Sequence, residues 1–190
     1  MKKWNGKNTL WMLIYLVLYM AGTFITCVLG SVHPIMFVCY QIVAGILLSG
    51  IVVTAFNRIK GPGVAAGFSL GIVLVFILIN DVSAWHIIPL IVIGAIAEII
   101  RVVTKYCWTG DVISTVVMTF STFGFYGQIW FNRDFTYSEA VEEMSAGYAE
   151  MLMKCSPVWS LPVVLVAGIA LSILISNVTA KIFNLDNAII

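Results

Sequence analysis

Charge is what this sequence has least of. Lysine, arginine, aspartate and glutamate make up 10% of the 190 residues and sum to a net +1, whereas an ordinary soluble domain is about 25% charged. That excludes a nucleic-acid binder held by a cationic surface, and a chain kept disordered by its own charge. Cysteine is also sparse. Cys27, Cys39, Cys107 and Cys155 form no CxxC pair, and two of them lie in apolar runs. They read as buried free thiols, not as a disulfide framework or a metal site. No GxxxxGK[ST] loop is present, so the chain has no P-loop for ATP. HExxH and GxSxG are missing too, and no run carries an arginine ladder. The second half does not repeat the first, which weakens an alternating-access carrier working alone.

What is abundant is apolar surface. The chain is 61% hydrophobic, with a mean hydropathy of +1.04. A membrane helix needs about 20 apolar residues. The sequence predicts six spans, at 9–29, 35–56, 63–79, 85–103, 112–130 and 161–183, in one membrane domain over 1–190. No room is left for a soluble catalytic domain. The first run exceeds a signal-peptide core of about 7–15 residues and no A-x-A-like site follows, so it reads as a retained span.

Positive charge orients the spans. Lys2, Lys3, Lys7, Arg58, Lys60, Arg101, Lys105 and Lys181 fall on one side, and Arg133 and Lys154 on the other. The positive-inside rule then puts both termini in the cytoplasm. Asp81, Asp134, Glu139, Glu142, Glu143 and Glu150 lie outside.

Small residues recur every four positions at Gly63, Gly67 and Gly71, and at Gly168, Ser172, Ser176 and Ala180. That spacing lets helix backbones approach in lipid. It serves either packing inside the bundle or docking of another membrane subunit.

Segment 131–160 is the longest polar stretch. Thr136 and Glu139 have capping-box spacing. Tyr137, Val141, Met144, Tyr148 and Met151 recur at helical steps, with Glu139, Glu142, Glu143 and Glu150 between them. This predicts a short amphipathic outer helix between spans five and six, either a lid over the bundle or a plain connector.

Glu98 and Arg101 are three apart near the inner edge of span four and predict a structural ion pair, with a transport role as the alternative. At the outer face the same topology gathers His33, Trp85, His86, Gln128, Trp130, Asn132, Arg133, Tyr137 and Tyr148. Ligand pockets are mostly apolar with a few convergent polar groups, so these residues form the candidate substrate site. Stacking faces favour an aromatic or planar organic cargo. Haem is one version, with His33 or His86 as axial ligand and Arg133 on a propionate. No cofactor of the protein's own and no metal cluster is expected.

Several features together carry a family likeness. Trp85-His86 precedes Gly94-Ala95-Ile96-Ala97-Glu98-Ile99-Ile100-Arg101 and Lys105-Tyr106. Span five exits through Trp130-Phe131-Asn132-Arg133-Asp134 into an acidic, aromatic segment, and the last helix is rich in small residues. Over nearly its whole length the chain resembles the Trep_Strep, or MptD-like, group of substrate-binding S components of energy-coupling-factor (ECF) transporters. The resemblance implies a six-helix protein that captures a micronutrient from outside, without an ATP site of its own. Its partners would be a membrane coupling subunit and two cytoplasmic ATPases. S components often carry small residues four apart in the first helix, where the coupling subunit docks. Here the aligned positions are the bulky Leu13 and Val17, so either docking uses other small faces, such as Ala21-Gly22, or this member couples differently. The competing readings are a membrane-embedded enzyme acting on a lipid or polyprenyl substrate, and a structural membrane subunit.

Overall fold

The computed structural model describes residues 5–185. Eleven helices follow one another, with no strand among the described residues: α1 (Gly6–Val32), α2 (Pro34–Val38), α3 (Tyr40–Arg58), α4 (Val64–Leu78), α5 (Ala84–Val103), α6 (Trp108–Met118), α7 (Phe123–Tyr126), α8 (Gln128–Phe131), α9 (Arg133–Glu143), α10 (Tyr148–Cys155) and α11 (Ser160–Ile182). Four of them, α1, α3, α5 and α11, are long and apolar enough to cross a membrane. At 15 residues, α4 reaches about 22 Å.

Contacts fix the direction of each rod. Arg58, at the end of α3, lies over the Trp11 ring near the start of α1. The bundle thus has one end with the start of α1 and an opposite end where α1 finishes. Gly67 and Gly71 of α4 abut Met12 and Leu16 of α1 in parallel register. Glu98 of α5 meets the start of α4, so that pair is antiparallel. The α3–α11 pair is parallel: a Cβ on Gly45 would lie 2.7 Å from the Gly168 carbonyl, and one on Gly168 2.8 Å from that of Gln41. One turn on, Ser49 donates to Ser172 at 2.7 Å. Gly168, Ser172, Ser176 and Ala180 are all buried in this seam. The second stripe of small residues therefore packs the bundle from within. Such close backbone approach is how helices associate where lipid removes the hydrophobic drive.

The first stripe divides. Gly67 and Gly71 are covered by α1, but a Cβ on Gly63 would meet nothing within 4 Å. Its φ of +95° at the α4 N-cap is the reason for glycine there. Ala21 is exposed, whereas Gly22 is buried against Leu48 and Ile51. The alternative docking pair of the first helix thus has one free member.

The expected unbroken span at 112–130 is not a single helix. It starts earlier, at Trp108, and the α-helix stops at Met118. Thr119, Phe120, Ser121 and Phe123 each donate to the carbonyl three residues back, the tighter winding of a 3₁₀ turn. Side chains of other helices support this turn. Tyr19 donates to the Met118 carbonyl at 3.2 Å and shares a 2.6 Å bond with Ser121. Thr122 donates to the Tyr40 hydroxyl at 3.1 Å. Gln41 donates to Thr119 at 2.9 Å and accepts from Tyr126. Hydroxyl residues compete for backbone partners, and here they end a helix instead of decorating one.

Candidate ligand-binding site

A cavity of about 350 Å³ opens at the end of the bundle where α1 finishes. Its floor is Phe37 of α2, Phe125 of α7 and Gln128 of α8. Asp81, Ser83, Trp85 and His86, from the α4–α5 turn and the start of α5, form one wall. The roof is α9 and α10, through Thr136, Glu139, Ala140, Glu143, Tyr148 and Leu152.

Each part is held for a local reason. Ser83 caps α5 by accepting from the Trp85 N–H. Pro89 has no N–H to offer the Trp85 carbonyl one turn back. Gly124 of α7 packs on that freed carbonyl: a Cβ there would lie 1.8 Å from it. His86 stands between the rings of Phe76, 5.2 Å away, and Phe125, 5.5 Å away. Its Nδ1 is 3.4 Å from Asp81 Oδ1 but lacks the alignment of a hydrogen bond. Gln128 is 8% exposed. Its amide nitrogen donates to the Gly124 carbonyl at 3.0 Å, and its Oε1 is buried with no partner.

The roof is tied down at both ends. Tyr148 donates to the Gly30 carbonyl at 2.6 Å, and burial pushes its phenol up to about 12, so it remains a neutral donor. Arg133 donates to the carbonyls of Ile129 (3.2 Å), Met153 (3.1 Å) and Ser156 (2.6 Å). A single guanidinium thus joins α8 to the end of α10.

A second polar cluster lies at the opposite end. Arg101 is fully buried and donates to Asp111 Oδ1 at 3.0 Å. It also donates to the carbonyls of Phe56 (3.1 Å), Ile59 (2.8 Å) and Gly61 (3.3 Å). Its guanidinium lies over the Phe56 ring. Glu98 accepts from the Ala65 N–H at 3.0 Å and so caps α4.

Residues 6–184 match the family described as hypothetical bacterial integral membrane protein, Trep_Strep. The chain belongs to the Trep_Strep family. No curated protein and no solved structure matches it. Both clusters lie within the matched Trep_Strep region.

Of the nine residues expected at the substrate site, this Trep_Strep chain brings five to the cavity: Trp85, His86, Gln128, Asn132 and Tyr148. The other four are elsewhere. His33 is exposed and accepts from the Ile35 N–H as the N-cap of α2. Trp130 is buried and donates to Ser160 at 3.0 Å. Tyr137 is exposed and donates to Glu150 at 3.2 Å, whose carboxylate raises the phenol's pKa. Arg133 is spent on the carbonyls above. The haem arrangement accordingly loses His33 and its propionate partner.

The expected Glu98–Arg101 ion pair forms at 3.9 Å, and Asp111 joins it as the arginine's hydrogen-bonded partner at 3.0 Å. The outer segment differs from the expectation. The single amphipathic helix is two, broken at 144–147, where Gly147 takes φ +81°. Asn132, not Thr136, stands at the N-cap of the first. The expected stripe divides: Tyr137, Val141 and Met151 are exposed, Met144 and Tyr148 line the cavity, and Glu139, Ala140 and Glu143 line it with them. Asp111, Phe125 and this glutamate pair went unread. The one signal for the pair was two like charges four apart, a repulsive spacing on a helix unless something cationic faces it.

Proposed function

We propose that this Trep_Strep protein is the substrate-capture S component of an ECF-type importer in the bacterial plasma membrane. The observation that carries the reading is the roofed cavity of about 350 Å³ with aromatic walls, in a chain with no P-loop. Ligand pockets of about 300–1,000 Å³ take drug-sized molecules. In this reading α1, α3, α4, α5, the broken α6–α8 rod and α11 make six crossings. The start of α1 and the end of α11 face the cytoplasm, in keeping with the lysine and arginine distribution. The cavity faces outside, roofed by an outer α9–α10 pair. The cargo is a micronutrient with a planar or aromatic body. ATP hydrolysis belongs to two cytoplasmic partner subunits, reached through a membrane coupling subunit.

The test is co-expression of the tagged chain with a coupling subunit and its two ATPases, with and without medium extracts as substrate source. Recovery of a four-part complex, and of a small molecule released unchanged on denaturation, is the expected result. Failure to associate under every condition overturns the reading. Gathering Asp81, His86, Glu139 and Glu143 around one cavity favours a second reading, an enzyme acting on a lipid or polyprenyl substrate. Release of a chemically altered molecule would select it.

A further inference from the structure

We propose that the cavity selects an organic cation: a flat or aromatic body bearing a protonated amine or a cationic nitrogen heterocycle with an N–H. The inference rests on the capture reading and names its substrate class.

Three observations converge. First, the cavity is lined by three carboxylates, Asp81, Glu139 and Glu143, with the His86 imidazole 3.4 Å from Asp81, and among the described residues no lysine or arginine lines it. Arg133, the nearest cation along the chain, is committed to three carbonyls. Neither Glu139 nor Glu143 has an ion-pair partner among the described residues, although they stand four apart on one helix face, where like charges repel. Second, Gln128 is more than nine-tenths buried and lines the cavity, and its Oε1 accepts nothing. The Gly124 carbonyl fixes the amide nitrogen on its own side, so the free atom is an acceptor. A buried acceptor without a donor is costly, and a ligand N–H would relieve it. Third, Phe37, Trp85 and Phe125 present rings to the same space, and aromatic faces attract cations. An anionic ligand would meet the glutamate pair and find no guanidinium or ammonium. A neutral one would gain nothing from that pair.

The chemistry assigns roles. The ligand N–H donates to Gln128 Oε1, its ring lies among the aromatics, and Glu139 and Glu143 balance its charge from the roof. Because both glutamates are exposed, salt should weaken their share.

The experiment uses the full chain in detergent, with three probes of matched shape: phenethylamine, propylbenzene and 3-phenylpropionate. Ligand binding is read by thermal shift and by calorimetry at 20 and 300 mM salt. The amine should raise Tm and bind at least about tenfold tighter than either other probe, with weaker binding at high salt. Glu139→Gln with Glu143→Gln should cut amine affinity about tenfold and remove most of the salt dependence. Gln128→Met should cut amine affinity by a similar factor, with the salt dependence retained. If Gln128→Met fails to fold, the paired glutamate variant decides, because its side chains are exposed. Equal or tighter binding of the carboxylate overturns the proposal. So does no amine binding at millimolar concentration, or unchanged amine affinity in the glutamate variant. Any of these outcomes, alongside recovery of the four-part complex, would leave the capture reading standing with a different cargo.

Discussion

Arg101 gathers a carboxylate and three carbonyls on one side chain. One guanidinium pairs with Asp111 Oδ1 and donates to the last carbonyls of α3, and its neighbour Glu98 caps α4. Four elements, α3, α4, α5 and α6, are pinned at one point. Removing one member of a buried pair strands the other, at about 3–5 kcal/mol. Asp111→Asn should therefore lower the melting temperature in detergent sharply. Glu98→Gln keeps an acceptor for the Ala65 N–H and should cost about 1 kcal/mol. Comparable losses from the two would contradict the assignment of Asp111 as main partner. The sequence placed Glu98 three residues before Arg101, and helical spacing made that pair the obvious one. Asp111 was hidden because pairing across a helix hairpin leaves no periodic trace.

At the scale of elements, the long apolar helices were legible and the interruptions were not. Runs such as α1 and α11 are long and continuous in hydropathy, so their existence follows from composition. The stop at Met118 depends on Tyr19, Tyr40 and Gln41 from other helices, which no local window contains. The roof is legible in part for a similar reason. Of its apolar stripe, Met144 and Tyr148 line the cavity and Tyr137, Val141 and Met151 are exposed, while Glu139 and Glu143 join the lining. The contact between α5 and α7 carries its own prediction. Gly124 rests on the Trp85 carbonyl that Pro89 leaves free, and a Cβ would collide with backbone. Gly124→Ala should push α7 from α5, reduce thermal stability by about 1–3 kcal/mol and open the cavity floor. Measured probe affinity should fall with it. A variant as stable as the parent would show that α7 can shift without cost.

For the whole molecule, up-and-down connectivity puts the Arg101 cluster and the cavity at opposite ends. The orientation proposed above predicts opposite accessibility for thiols at the two ends. Cys107, exposed in the α5–α6 turn, should react with a membrane-impermeant maleimide only after the cells are opened. A cysteine at the exposed position Glu142 should react in intact cells. Labelling of both from the same side would contradict the topology, and reversal would invert it. The candidate site was half legible at this scale. Orientation gathered the residues of one end, but only packing separates those that face the cavity, such as His86, from those spent on structure, such as Arg133. The interrupted fifth rod also bears on biogenesis. Its 3₁₀ turn leans on Tyr19, Tyr40 and Gln41, all of which leave the ribosome before Thr119 does. Synthesis from the N-terminus thus delivers the receptors before the segment that needs them, and a circular permutant beginning at α6 would have to insert that segment into lipid with its hydroxyls unmatched.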